Sequence, residues 1–310
     1  RDASAPWAPQ GSLGIFAGIY GDIDYVSGST IPSRSAFRTM IQMFRTARTY
    51  EENDGSVAHS AGSRTVMAGG GVQGVGGGSY GSGAYQEIGT NGATTTITVP
   101  STHHGGAIAL FFAVESGDSV TASVTVNGSP ATFGDGGAAG ALAWAYSSVG
   151  AESARVVYCR RLVNVPASAS VVITYSSITG KARFDRWGIE ANPPGLACIV
   201  DLRKLPSYAG FSSVDDAAVD AWNSMFAALA SEWSDGLVYL CRTDALVAKS
   251  YAYIDSADGI HLTQRGSALV AAEVVRQMPR LSEHHQAMLA RGSTWQAAYG
   301  VTLSSPWTAY

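Results

Sequence analysis

Residues 94–175 carry the pattern that most limits the possible folds, a succession of short segments in which apolar and polar residues alternate. Val120, Ala122 and Val124 alternate with polar residues, and the Asn127-Gly128 pair that follows is a strong signal for a tight hairpin turn. Residues 107–114 are apolar throughout, which is typical of a strand buried on both faces. Strands at this spacing predict a β-sandwich.

The segments on either side alternate between strand-like and helix-like patterns. Residues 13–20 form a short apolar run that ends at Gly21-Asp22, and an amphipathic helix pattern follows at 37–47. Apolar runs and helical patterns alternate again after residue 195, at 196–202, 214–233, 236–241 and 263–278. This alternation predicts an α/β parallel sheet, in which sites lie at the carboxyl ends of the strands.

The predicted organisation is a split α/β domain with an inserted module. The α/β domain comprises residues 13–62 and 185–279, the inserted β-sandwich comprises residues 63–184, and residues 1–12 and 280–310 are predicted to be arms. Insertion at a surface loop is well tolerated. The glycine-rich segment 69–83 lacks the Lys-Ser/Thr of a phosphate-binding loop, so a turn-rich surface segment is expected.

The amino-acid composition and net charge make some classes of function less plausible than others. Hydrophobic residues make up 46% of the chain, enough for a sizeable core, whereas the charged content of 14% is more typical of an extracellular or assembled protein. The formal net charge of −4 gives no reason to expect nucleic acid as a partner. No apolar run reaches the ~18 residues of a membrane span. Cys159, Cys198 and Cys241 lie in apolar runs and are expected to be buried free thiols.

Residues 258–263 carry the clearest chemical signal. Asp258 and His261 are spaced so that the carboxylate can accept a hydrogen bond from the imidazole, fix its tautomer and stabilise its protonated form. Thr263 follows at a position that suits the start of a helix. A histidine held by an aspartate usually serves a nucleophile, whereas many such pairs only cap a helix. Both interpretations are compatible with the spacing.

The same stretch, with Gly266 behind it, resembles the last conserved block of the SGNH (GDSL-type) hydrolases. The first strand's end at Asp22 resembles that family's first block, and Gly62 resembles the second-block glycine that helps to build the oxyanion hole. The resemblance covers residues 13–62 and 185–279. It implies a three-layer SGNH-like (flavodoxin-like) sheet with His261 as base and Asp258 as its orienting acid. The inserted module resembles the layout of SGNH-like domains in bacteriophage minor tail proteins.

The sequence departs from that family at two of its four defining residues. The nucleophilic serine should follow the Gly-Asp of the first block, where this chain has Ile23, and residues 200–205 lack the third-block asparagine. Loss of a nucleophile from a triad costs on the order of a million-fold in rate. A substitute among Ser27, Ser29 and Ser33 would have to lie within ~3 Å of the histidine. The resemblance therefore implies a degenerate site.

Other polar and aromatic residues are candidates for contacts with a ligand or a metal ion: His103, His104, His284, His285, Asp22, Asp24, Asp54, Tyr80, Tyr85 and Trp144. Adjacent histidines on a strand point to opposite faces and make poor joint ligands, so surface positions are expected. The aspartates are expected to be solvated. The three aromatic residues are candidates for stacking on sugar rings, although core positions are commoner. No metal or cofactor is predicted.

Two functions from different classes follow. The first is a bacteriophage tail component of the virion, with a degenerate SGNH-like domain, that binds a bacterial surface polysaccharide or lipid. Its other expected partners are tail proteins and further copies of itself. The alternative is an active esterase or deacetylase on host-envelope esters, with His261 as base, Asp258 as orienter and an unassigned serine as nucleophile. A metabolic hydrolase fits the composition less well.

Overall fold

The structure, a computed structural model, describes residues 13–17, 31–66, 72–73, 79–80, 84–146, 155–191, 194–208, 210, 214–233 and 235–276. Across these residues strands outnumber helices, and most neighbouring strands run antiparallel. Two antiparallel sheets form the larger part of the fold, and a small parallel sheet with helices forms the rest.

The first antiparallel sheet has six strands. Numbered in chain order, they are β3 (Val57–His59), β8 (Thr94–Thr98), β10 (Ser119–Val126), β11 (Ser129–Pro130), β13 (Ala141–Ala145) and β15 (Ser170–Thr179). Their spatial order is β11-β10-β15-β8-β3, and β13 also pairs with β10. Asn127 and Gly128 have φ angles of 51° and 81°, as a tight hairpin turn from β10 to β11 requires. The predicted hairpin is confirmed.

The second antiparallel sheet has seven strands. They are β2 (Thr46–Glu51), β4 (Ser63–Val66), β7 (Ala84–Ile88), β9 (Gly106–Glu115), β12 (Thr132–Phe133), β14 (Arg155–Val165) and β16 (Ala182–Glu190). Their order is β12-β14-β9-β16-β7-β4, with β2 beside β16. Every residue from 107 to 114 in β9 is buried, because both faces of the sheet are covered. The prediction for this strand is confirmed.

The third sheet is parallel and has three strands, β1 (Leu13–Ala17), β17 (Leu196–Val200) and β18 (Val238–Cys241). The helices are α1 (Ile31–Arg45), α2 (Asp216–Ala230), α3 (Thr243–Leu246) and α4 (Gln264–Arg276). Two short strands, β5 (Val72–Gln73) and β6 (Ser79–Tyr80), pair only with each other among the described residues. In the same part of the chain, no helix is long and apolar enough to cross a bilayer.

The largest core lies between the two antiparallel sheets, where Ile173 and Tyr175 of one sheet share a buried cluster with Phe112 and Trp187 of the other. This is the arrangement of a β-sandwich, in which the inner faces of two sheets share one apolar layer. All three cysteines are buried free thiols, as expected from the sequence.

Helix α1 lies between the seven-stranded sheet and the parallel sheet. On one side Met43 packs with Phe111 and Val157 of the seven-stranded sheet. On the other side Phe37 and Ile41 share a buried cluster with α2 and the parallel strands. The ring of Phe37 meets that of Phe226 edge to face at 4.9 Å. Each side of this helix therefore belongs to a different core.

The predicted fold class, a three-layer α/β parallel sheet, is wrong. Parallel pairing within the described residues is confined to β1, β17 and β18, whereas the strands between residues 46 and 190 pair antiparallel. The apolar runs that indicated parallel strands do form them, but they make up a minor part of the chain. The predicted domain division stays a prediction. Strands β2 and β3 precede its boundary at residue 63, β16 spans its boundary at residue 185, and both predicted arms lie outside the described residues.

Candidate functional site

The loop before α4 brings Asp258 and His261 together. Asp258 Oδ1 accepts hydrogen bonds from the backbone N–H groups of Ile260 (2.7 Å) and His261 (2.9 Å). Its Oδ2 lies 2.5 Å from Nδ1 of His261. These interactions, chiefly the bond from the Ile260 N–H and then the one from the imidazole, lower the pKa of Asp258 to about 2. The contact expected from the spacing is present, and the carboxylate is ionised at neutral pH.

The hydrogen bonds of the same loop also form the cap at the start of helix α4. Thr263 Oγ1 accepts a hydrogen bond from the N–H of Gly266 (3.3 Å) and donates one to the carbonyl of Ala252 (3.1 Å), so it caps the first turn of α4. Gly259 has a φ angle of 72°, which favours glycine in this turn. The His261 side chain is 80% exposed. A capped turn with an exposed imidazole accounts for these residues without a catalytic role.

Of the other residues implied by the family resemblance, the structure describes only Gly62. Asp22 and Ile23 lie outside the described residues. Gly62 has a φ angle of 106°, and a Cβ on it would lie 2.2 Å from the backbone oxygen of Glu87. Close approach to β7 therefore requires glycine at this position. The catalytic roles of Asp258 and His261 and the oxyanion role of Gly62 stay predictions.

Asp201 follows the carboxyl end of β17 and belongs to the segment 200–205, which lacks the third-block asparagine of the SGNH family. The carboxylate is buried and accepts hydrogen bonds from the N–H (2.5 Å) and Oγ1 (2.7 Å) of Thr243. Burial raises its pKa to about 6, while the bonds from Thr243 act in the opposite direction. These contacts hold the start of α3, so Asp201 has a structural task at the strand end.

A cleft of about 480 Å³ lies where β13, β14 and the first turns of α1 meet. This volume is within the usual range for ligand sites. Trp144, Tyr146 and Tyr158 line one part of it, and the exposed Ala143 and Ala145 lie beside them. Alternation along β13 places Trp144 toward the core and the alanines outward. The strand therefore contributes aromatic rings and an open rim to the same cleft.

The aromatic side chains of the cleft pack against one another in tilted pairs. The Trp144 ring lies 4.6 Å from that of Phe112 and 5.5 Å from that of Tyr158, measured between centroids. Tyr158 donates a hydrogen bond from its hydroxyl to the carbonyl of Ala143 (3.0 Å), and burial raises its pKa above the ordinary value. The indole Nε1 of Trp144 is buried and has no hydrogen-bond partner among the described residues. The aromatic part of the cleft is thus rigid.

The charged part of the cleft is a set of arginine–carboxylate pairs. Arg160 donates to the Tyr158 hydroxyl (3.2 Å) and forms an ion pair with Asp135 (3.0 Å). Arg34 and Arg38 both pair with Glu232, at 2.7 and 2.6 Å. Burial lowers the pKa of Arg38, but the hydrogen bonds and charge of Glu232 outweigh this effect and hold it above the ordinary value. Arg38 is therefore held as a cation at the cleft.

The structure separates the other candidate residues. Trp144 lines the cleft, whereas Tyr85 is buried in the cluster beneath α1. His103 is buried against the carbonyl of Val165 (3.1 Å), so the surface position expected for it is wrong, while His104 is exposed. Asp54 accepts a hydrogen bond from the N–H of Ser56 (2.8 Å). Two histidines, two aspartates and one aromatic side chain lie outside what the structure describes: His284, His285, Asp22, Asp24 and the ring of Tyr80.

Sequence reasoning missed the arginines of the cleft. Arg34 and Arg38 are one turn apart on α1 and look like members of a solvated helix face. A usable signal lies in β14, where Arg160 and Arg161 interrupt an apolar run. Charges within such a run require partners when they are buried, and here the partners are Asp135 and Glu190.

Comparison with known proteins gives only weak likenesses. Neither a family model nor a curated protein matches the sequence. The catalytic domain of a GH87 alpha-1,3-glucanase matches with a TM-score of 0.32 and 12% identity over 51% of this chain and 36% of that chain. An exo-beta-1,3-galactanase from Phanerochaete chrysosporium matches with 0.29 and 22% over 45% and 28%. A CBM36 carbohydrate-binding module, solved with calcium and xylotriose, matches with 0.28 and 9% over 45% and 96%.

The chain spans about a third of the length of the two glycosidases. Likenesses of this size assign no function. The expected membership of the SGNH hydrolases is wrong, because the described chain is built mainly from antiparallel sheets, whereas that family implies a three-layer parallel sheet. The short block at 258–263, on which the resemblance mainly rested, is a capped turn at the start of a helix.

Proposed function

We propose that this protein binds a carbohydrate polymer in the cleft between β13, β14 and α1. The observation that carries the proposal is that two packed aromatic rings, Trp144 and Tyr158, and the charged pair Arg160–Asp135 line one cleft of about 480 Å³. A sugar ring has C–H groups that pack on aromatic side chains and hydroxyls that need fixed donors and acceptors. Both kinds of group are present here.

The cleft supports binding rather than hydrolysis of a glycan. Glycoside hydrolysis usually requires two carboxyl groups that flank the scissile bond. Asp135 is the only carboxylate among the described residues that line the cleft, and Arg160 engages it at 3.0 Å. Glu232, behind the cleft, is taken up by two arginines. A fixed ion pair orients a ligand but supplies neither a general acid nor a free base.

A surface polysaccharide is the partner class that this cleft fits. An open rim suits a long polymer better than a small metabolite, and Ala143 and Ala145 leave that rim uncovered. A place in a bacteriophage tail, a lipid ligand, contacts with other tail proteins and self-association stay predictions from the sequence. The proposed binding does not depend on any of them.

The test is affinity electrophoresis of the full chain through gels that contain dextran, xylan, polygalacturonate or dextran sulfate. The blocking variant is Ala143→Phe, which adds a ring at the cleft rim on an exposed strand position. Its matched control is Ala141→Phe, two residues earlier on the same exposed side of β13 and away from this cleft. We expect retardation by at least one polymer, lost in Ala143→Phe and kept in Ala141→Phe.

Equal retardation of the two variants would place binding elsewhere on the molecule. Unretarded migration of the unaltered chain in all four gels would count against carbohydrate binding itself. Circular dichroism of both variants checks that each is folded before the comparison is made.

A further inference from the structure

The charges around the cleft do not balance. Arg34 and Arg38 share one carboxylate, Glu232, and Arg160 pairs with Asp135. Among the described residues, these three guanidinium groups and two carboxylates leave one positive charge in excess. The neighbouring Arg45 and Arg161 do not change this result, because Glu190 and Asp235 match them in number.

The excess charge is held in place and is accessible. Glu232 accepts from Nε and Nη2 of both Arg34 and Arg38, at distances from 2.6 to 3.2 Å. Arg38 and Glu232 are buried, whereas 39% of the Arg34 side chain remains exposed. A ligand in the cleft therefore meets Arg34 as the accessible cation, with Arg38 fixed behind it. Coulombic attraction is stronger in such a partly dry site than in open water.

The hydrogen-bonding groups are also unbalanced. The guanidinium groups of Arg34 and Arg160 line the cleft as donors, and Asp135, the carboxylate of its described lining, is already engaged by Arg160. Nε of Arg160, like Nε1 of Trp144, is buried without a partner among the described residues. Arginine and tryptophan side chains donate and do not accept. A ligand that supplies many acceptors suits this site better than one that mainly supplies hydroxyl donors.

We infer that the polymer bound in this cleft is an acidic polysaccharide, whose carboxylate or sulfate groups pair with Arg34. This inference rests on the proposed function, because it names the chemical class of the same ligand. Carboxylates and sulfates accept hydrogen bonds without donating any, and guanidinium groups bind such anions with two parallel bonds. A neutral glycan would leave the excess charge of the cleft uncompensated.

The experiment compares polymers that share a backbone and differ in charge. Polygalacturonate is paired with its methyl ester, and dextran sulfate with dextran, in calorimetric titrations of the full chain. We expect at least one acidic member to bind about tenfold more tightly than its neutral partner, and to weaken as NaCl rises to about 300 mM. Whichever pair shows the difference distinguishes carboxylate from sulfate recognition.

Variants locate the charge effect. Arg34→Gln keeps the Arg38–Glu232 pair and should lower affinity for the acidic polymer about tenfold, while Arg34→Lys should keep part of it. The control Arg276→Gln removes an exposed arginine of α4 that pairs with Glu273 and should change nothing. Because Arg34 is partly exposed, both of its variants are expected to fold.

The possible failures are distinguishable. Equal affinity for the acidic and neutral members of both pairs would overturn the acidic ligand and leave carbohydrate binding intact. Preference for the acidic member that is unchanged in Arg34→Gln would overturn the role of this cleft in charge recognition. Absence of binding to all four polymers would count against the proposed function itself.

Discussion

Asp185 is a buried carboxyl group whose surroundings disfavour the ionised form. It lies in β16 at an irregularity in the pairing with β9 and is 1% exposed. Its Oδ2 forms an ion pair with Nε of Arg186 at 3.4 Å but has no hydrogen-bond partner in the described part of the chain. Burial raises its pKa to about 7, with Glu51 and Glu52 adding to the rise and Arg186 opposing it.

This raised pKa predicts a pH-dependent effect of Asp185→Asn. Between about pH 4 and about pH 7 the folded protein keeps a proton that the unfolded chain releases, so the contribution of Asp185 to stability is lost as pH rises through this window. Asparagine cannot ionise and avoids that loss. The variant's free energy of unfolding, relative to the unaltered protein, should therefore rise by on the order of 2 kcal/mol from about pH 5 to about pH 8.5.

Urea denaturation at the two pH values measures the difference. Asp220→Asn, at an exposed position on α2 that pairs with Lys204, is the control and should show no such rise. A constant difference between Asp185→Asn and the unaltered protein at both pH values would mean that Asp185 is ionised throughout this range.

At the scale of single residues, the sequence predicted contacts better than roles. The spacing of Asp258 and His261 predicted their pairing, because three residues of one turn set the distance. What the pair serves depends on residues far away in the chain. The same limit applies to Trp144, for which the sequence allows both a core position and a contact with a sugar ring. In the structure its side chain belongs to the buried cluster of the β-sandwich and also lines the cleft.

Among the elements, α1 shows what a hydrophobic pattern can and cannot predict. The stripe with Phe37, Ile41 and Phe44 predicted a helix with one buried side. The structure buries a second side, where Ser35 donates from Oγ to the carbonyl of Val157 at 2.7 Å. Polar side chains on that side form hydrogen bonds with residues that are distant in the chain. Such contacts leave no periodic signal in the sequence.

Arg45, in the last turn of α1, forms buried ion pairs whose contribution to the free energy of unfolding can be measured. Its side chain is fully buried and pairs with Glu190 at 2.7 Å and with Asp235. Replacement by methionine should lower the free energy of unfolding by about 3 kcal/mol, because it leaves buried carboxylate charge with fewer partners. Thermal and urea denaturation measure the loss.

The matched control for Arg45→Met is Arg276→Met on α4, where the arginine is 71% exposed. Exposed pairs contribute little, so this variant should be indistinguishable from the unaltered protein. Similar losses in the two variants would show that the buried charge of Arg45 does not set the effect.

For the molecule as a whole, local patterns predicted many elements but not the balance between them. The strands at 107–114 and 120–126 and the helices predicted at 214–233 and 263–278 form in the structure, whereas the short helix α3 was not predicted. Strand β16 was not recognised, although it is central to the seven-stranded sheet, because Arg183, Asp185 and Arg186 interrupt its apolar pattern. Which strands pair, and in which direction, is decided by contacts between distant segments.

The cleft was equally hard to predict, since its parts come from three separated regions. Arg34 precedes Trp144 by more than a hundred residues, and Glu232 follows Arg38 by 194. Antiparallel pairing of β14 with β9, and packing of α1 across β14, bring these side chains to one place. Each residue alone has an ordinary explanation in the sequence, and only their meeting indicates a ligand site.

Hydrogen–deuterium exchange with and without the acidic polymer that binds more tightly, polygalacturonate or dextran sulfate, tests the central claim most directly, because it reports where on the molecule the polymer binds. We predict slower amide exchange in peptides that cover residues 34–38, 141–146 and 155–160, which belong to the three elements around the cleft. The loop at residues 253–263 should exchange at an unchanged rate. Protection of the loop that holds Asp258 and His261, with unchanged exchange around the cleft, would contradict this account.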